Sequence, residues 1–122
     1  MKIFDSIVLY VEDITATMKF YADILGREVR LLAPTFASCE LESGLSLEFK
    51  TRSQAEPKAA MTGGGAELCI SVPEAAALHE VFEAWKAKGL RFAQLPTTLA
   101  FGPTFVALDP DDHRIRVFVR AS

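Results

Sequence analysis

One order of elements, written twice, constrains this chain more than any other feature: strand, helix, glycine, then short strands. The first copy opens with an alternating run over residues 3–11. Ile3, Ile7, Leu9 and Val11 fall on one face, and Phe4, Ser6, Val8 and Tyr10 on the other. Asp13 has the side chain of a helix N-cap, and a stripe of Ile14, Met18, Tyr21 and Leu25, with Ile24 beside it, predicts a helix through Leu25. Gly26 supplies the left-handed residue that ends it. Strands are expected at Glu28–Leu32, Phe36–Leu41 and Leu45–Lys50, the last two joined by a Glu42-Ser-Gly44 turn. Residues 51–65 are polar, end in three glycines and lack periodicity, as a mobile loop or linker would.

The pattern then restarts. Ala66–Val72 alternates as a strand, with Ala66, Leu68, Ile70 and Val72 on one face and Glu67, Cys69 and Ser71 on the other. Pro73 sits where a first helical residue is expected, Leu78, Val81, Phe82 and Trp85 form the stripe of a helix to Lys88, and Gly89 ends it. Short strands follow at Arg91–Ala93, Thr97–Phe101, Thr104–Leu108 and Arg114–Val119. A tight turn over Asp109–His113 separates the last two, and Ile115, Val117 and Val119 alternate with Arg114, Arg116, Phe118 and Arg120. Gly26 and Gly89 lie 63 residues apart, and Ser6 and Glu67 lie 61 apart, which makes internal duplication the simplest account. The expected organisation is therefore α+β, with modules over residues 1–60 and 61–122. Each module would be a curved mixed sheet with its helix on the convex apolar face, and the other faces would enclose a cleft.

Length and charge narrow the possibilities. A chain of 122 residues makes one compact domain, or two small halves sharing a core. A net charge of −3 carries no electrostatic footprint for nucleic acid, and there is no basic run for an anionic membrane. No apolar run reaches the roughly 18–20 residues that span a bilayer, and the start Met1-Lys-Ile-Phe-Asp-Ser lacks a small-residue cleavage site, so a cytoplasmic location is expected. In that compartment Cys39 and Cys69 are expected to be two buried thiols.

Four polar side chains fall on the off-core faces at corresponding places in the two copies: Ser6 with Glu67, and Glu48 with Arg116. They read either as lining the cleft or as an ordinary solvated strand face. Phe4, Tyr10, Phe101 and Phe118 are candidate stacking walls, against the simpler alternative of core packing.

Phe20-Tyr-Ala-Asp-Ile-Leu-Gly26, after a strand ending Leu9-Tyr10-Val11-Glu12-Asp13, resembles the vicinal-oxygen-chelate superfamily of glyoxalases, extradiol dioxygenases and bleomycin-resistance proteins. Phe105-Val-Ala-Leu-Asp-Pro-Asp-Asp-His-Arg-Ile-Arg-Val117 is similar to that family's closing motif, in which a glycine and a metal-binding Glu stand where this chain has Asp112 and Arg116. The resemblance implies paired βαβββ modules forming a U-shaped sheet around a ligand, in a homodimer whose site can borrow residues from both chains. It also implies metal-ligand positions at Ser6, Glu48, Glu67 and Arg116. Only two of these are carboxylates, and a guanidinium is donor-only and permanently charged. His79, on the second helix, and His113, in the turn, stand at none of the four.

The expectation is accordingly a member without a metal or other cofactor that binds a small organic molecule in the cleft. Arg116 would either pair with Glu48 or Glu67 or be left to hold an anionic group. The alternative is a glyoxalase-like lyase or isomerase, or a dioxygenase-type enzyme, with Glu48 or Glu67 as general base or metal ligand. A third reading gives the weight to a partner surface, with residues 54–65 facing the partner.

Overall fold

A computed structural model describes residues 2–120. The chain divides into two compact units, Met1–Gly63 and Gly64–Ser122. The first contains β1 (Ser6–Val11), α1 (Ile14–Leu25), β2 (Arg30–Ala33), β3 (Phe36–Glu40) and β4 (Ser46–Thr51). Its sheet has the order β1-β4-β3-β2, with β1 and β4 parallel and the other pairs antiparallel. The second unit contains β5 (Glu67–Val72), α2 (Ala75–Ala87), β6 (Arg91–Leu99), β7 (Gly102–Leu108) and β8 (Arg114–Val119). Its order, β5-β8-β7-β6, repeats the first, again with a single parallel pair, β5 with β8. This is the βαβββ repeat expected from the sequence.

In each unit the helix covers one face of the sheet, and strand alternation decides which side chains it buries. In the first unit Asp13 Oδ1 accepts from the Ala16 amide at 3.1 Å, and the Thr17 hydroxyl donates to the Asp13 carbonyl at 3.0 Å. Gly26, at φ +63°, closes the helix by donating to the Ala22 carbonyl at 3.0 Å. Tyr21 stacks on Phe49 with ring centroids 4.8 Å apart, above buried Val11, Ala37, Cys39 and Leu47. In the second unit Phe105 is the hub. Its ring meets Phe82, Trp85 and Phe92 edge-on at 5.5, 5.8 and 5.9 Å, and Leu78, Ile115 and Val117 complete the layer.

The turn between β7 and β8 is built on Asp109. Its Oδ1 accepts from the amides of Asp111 at 2.8 Å and His113 at 2.9 Å, an Asx-type turn that leaves Asp112 at φ +66°. Arg91 ties β6 to this turn through the Asp109 carbonyl and the Asp112 carboxylate, both at 2.7 Å.

Several boundaries differ from the sequence expectation. The second helix begins at Ala75, because Glu74 is extended and its carbonyl accepts the first helical bond, from Leu78. Pro73 therefore lies outside the helix. It ends at Ala87, since Lys88 already closes back onto Ala84. The two strands expected at 91–93 and 97–101 are one strand, Arg91–Leu99. Register shifts at Phe92/Gln94 and Gln94/Thr97 let it continue through Pro96, which has no amide to donate. Phe101 falls in the turn before Gly102 rather than in a strand. The start of β2 moves from Glu28 to Arg30. Cys39 is buried as expected, whereas Cys69 is exposed, because it alternates onto the face away from α2.

Phe105→Ala is expected to cost about 3–5 kcal/mol of unfolding free energy in urea titrations, the range for emptying a packed aromatic site, and Phe105→Leu clearly less. A loss below about 1 kcal/mol in the alanine variant would show that the cluster is not the keystone of the second unit.

Candidate functional site

On the helix-free face of the second unit, β8 lies between β5 and β7 and projects Arg116 and Phe118. Cys69 is directly across from Arg116 on β5, and Val106 across from it on β7. Glu67 sits two residues before Cys69, diagonal to Arg116, and pairs with it along both edges. Nε donates to Glu67 Oε1 and Nη2 to Oε2, each at 2.9 Å. Such a fork-to-fork pair is the strongest geometry available to these groups.

The remaining edge of the guanidinium is engaged as well. Nη1 donates to Thr104 Oγ1 at 3.1 Å and, at a longer 3.4 Å, to Gln94 Oε1. Thr104 can accept because its own hydroxyl proton is given to the Val117 carbonyl at 2.8 Å. The hydrogen bonds from Arg116 hold the Glu67 carboxyl below the usual carboxylate range, and the same bonds raise the Arg116 guanidinium further. Partial desolvation on the sheet, then the Glu67 charge, push the Cys69 thiol up, which keeps it protonated at neutral pH and a poor nucleophile.

Beside this pair opens a cavity of about 300 Å³ lined by Cys69, Phe101, Arg116, Phe118 and Val119. The Arg116 guanidinium carbon lies 5.8 Å from the centre of the Phe101 ring. Two of the four aromatics singled out in the sequence, Phe101 and Phe118, are therefore brought together with Arg116. Phe4 precedes β1 and is 93% exposed, and Tyr10 is half-buried opposite Lys50 on β4.

The first unit places Glu48 in the position that corresponds to Arg116. It lies opposite Val8 on β1 and Ser38 on β3, as Arg116 lies opposite Cys69 and Val106. The Ser38 hydroxyl donates to Glu48 Oε2 at 3.4 Å. Ser6 is diagonal to Glu48 as Glu67 is to Arg116, so the repeat register inferred from spacing is the structural register. A separate hollow of about 390 Å³ in this unit is lined by Gly26, Arg27, Glu28, Arg30, Leu32, Ser38 and Glu40. Arg27 there donates to the Glu40 carbonyl at 2.6 Å, and Arg30 approaches Glu28 at 3.9 Å.

Gln94 and Thr104 were not singled out from sequence. Gln94 fell in the gap between two expected strands. Thr104 shares Arg116's side of the sheet, and alternation counted back from the β7–β8 turn would have found it.

The four positions that the resemblance assigns to a metal do not fit one. A divalent cation needs several anionic or lone-pair donors. At these positions one residue is a guanidinium, and both oxygens of Glu67 already accept from it. Among the described residues, no three His, Cys, Asp or Glu side chains are grouped to hold a metal ion.

Because the folded-state pKa of Glu67 is depressed, the pair adds stability that is fully present above the ordinary carboxylate range and is lost as pH falls through the depressed value. Wild type is expected to exceed Glu67→Gln in stability by more at pH 6 than at pH 3, measured by urea unfolding. An unchanged difference would mean that Arg116 does not hold the ionised carboxylate.

The family profile of the Glyoxalase/Bleomycin resistance protein/Dioxygenase superfamily matches residues 3–117. The solution NMR structure of protein ATC0852 from Agrobacterium tumefaciens is similar over 100% of both chains, with 41% identity and a TM-score of 0.90. A structure from the mobile metagenome of V. Pseudocholerae is 26% identical over 100% of this chain and 97% of that one, with a TM-score of 0.73. A glyoxalase-related enzyme from Fulvimarina pelagi shares the fold at 19% identity, covering 98% of this chain and 89% of its own, with a TM-score of 0.83. By the extent of the family match and the identity to the Agrobacterium protein, the chain belongs to the Glyoxalase/Bleomycin resistance protein/Dioxygenase superfamily.

Proposed function

We propose that this chain is a metal-free binder of small organic molecules, with its ligand on the open face of the second module. The observation that carries this reading is the Arg116–Glu67 pair beside the Cys69–Phe101–Phe118 cavity. The pair occupies, with opposite and matched charges, positions that would otherwise supply ligands to a cation. The ion pair is partly withdrawn from solvent, with side-chain exposures of 18% for Arg116 and 31% for Glu67, and apolar groups surround the space next to it. A general-base role for Glu67 is disfavoured by the same geometry. A carboxylate held in its ionised form by two charge-assisted bonds is a weaker base than a free one.

Association with a second copy of the chain belongs to the same reading. Ile3 and Phe4 are 74% and 93% exposed, and every residue of the edge strand β2 is exposed. Such apolar surface and bare strand edges are commonly covered by a partner. Sedimentation equilibrium is expected to give a dimer, and a monomer at high micromolar concentration would remove this part of the proposal.

Purified protein supplied with Ni²⁺ or Zn²⁺ is expected to bind neither stoichiometrically and to leave a hemithioacetal substrate unconverted. Thermal-shift screening of small organic molecules should yield stabilising compounds whose effect disappears in Arg116→Ala. Stoichiometric metal at low micromolar affinity, or hits indifferent to Arg116→Ala, would overturn the reading.

A further inference from the structure

Resting on that reading, the geometry points to the ligand class: we infer that the second-module cavity takes a planar, uncharged aromatic group, lying against the flat face of Arg116. A guanidinium has two ways to meet a ligand, by the N–H groups along its edges or by its face. The edges of Arg116 are occupied by four hydrogen bonds, two to Glu67 and one each to Thr104 and Gln94. Of five N–H groups, one is left, too few for the fork that grips a carboxylate or phosphate. The charge is matched as well. An anion entering the cavity would meet the Glu67 carboxylate beside the guanidinium and would shed its water without gaining a matching partner.

What the cavity offers instead is flat and apolar. The Phe101 ring is already within cation–π range of the guanidinium, Phe118 projects from the strand that carries Arg116, and Cys69 and Val119 fill the remaining wall. The raised Cys69 thiol stays neutral and adds no charge. Aromatic rings prefer offset or edge contacts with one another, and a delocalised cation stacks on an aromatic face. Glu67 thus sets specificity: by closing the edges of Arg116, it turns a potential anion receptor into a stacking platform.

The test uses the full chain and three probes of one skeleton: 2-naphthol, planar and neutral at pH 7; 2-naphthoate, planar and anionic; and decahydro-2-naphthol, neutral and saturated. Titrations are followed by the amide signals of Cys69, Phe101, Arg116 and Phe118. The expected result is that 2-naphthol binds at least about tenfold more tightly than 2-naphthoate, and more tightly than the saturated alcohol. Phe118→Leu, with folding checked by retained signal dispersion, should weaken 2-naphthol roughly two- to tenfold. Glu67→Gln should tighten 2-naphthoate relative to 2-naphthol, a reversal that a purely structural role for Glu67 would not produce. Equal or tighter binding of 2-naphthoate to the wild type would overturn the ligand class while leaving a small-molecule site in place. Equal binding of the saturated alcohol would overturn planarity. If no probe moves the four signals, the small-molecule site itself falls, and the ligand class with it.

Discussion

Each module depends on the alternation of its parallel strand pair, which commits every second side chain to the helix and frees the others. In the second module Ile115 and Val117 go under α2 while Arg116 and Phe118 go to the open face. A one-residue slip would bury the guanidinium against the aromatic cluster and expose the valine and isoleucine, a change no local repacking could offset. The edge-on contacts of Phe105 and the stacking of Tyr21 on Phe49 fix the register. The chemistry on the other face can then vary without disturbing the core. That separation explains how one fold carries Ser6 and Glu48 in the first module and Glu67 and Arg116 at the corresponding places in the second.

Much of this was legible in the chain itself. Alternation assigned the faces of β1, β4, β5 and β8 correctly, and Asp13 and Gly26 marked both ends of the first helix by the capping chemistry they perform. The repeat spacing aligned Ser6 with Glu67 and Glu48 with Arg116, and strand pairing places them in corresponding positions. The illegible parts have specific causes. Pro96 reads as a strand breaker, yet shifts of register carry β6 past it, and this hid Gln94. Cys69 reads as a buried thiol by residue type, whereas its parity puts it on the open face. The partner of Arg116 was undetermined because spacing shows which residues share a face, not which carboxylate a long side chain will reach.

The Asp109 turn shows how a motif that looks functional can be structural. Its aspartates and histidine form a cluster of titratable groups in sequence. In the fold, Asp109 spends its oxygen on two backbone amides and Asp112 meets Arg91. The turn sets where β8 begins, and so where Arg116 arrives. It acts on the open face only by placing it.

The strand order has a consequence for how the molecule is made. In both modules the last strand of the unit to be synthesised is an inner one: β4 sits between β1 and β3, and β8 between β5 and β7. The first strand of each module therefore has no hydrogen-bonding neighbour in its sheet until the last has emerged from the ribosome. During translation β5, with its ionisable Glu67, waits as an unpaired segment for almost the whole length of its module. Arg116 supplies its counter-charge only at the end. Completion of the second sheet thus waits for β8, although β6 and β7 can already pair as a hairpin, and a nascent chain stopped just short of β8 would leave β5 without a partner and β7 with one open edge.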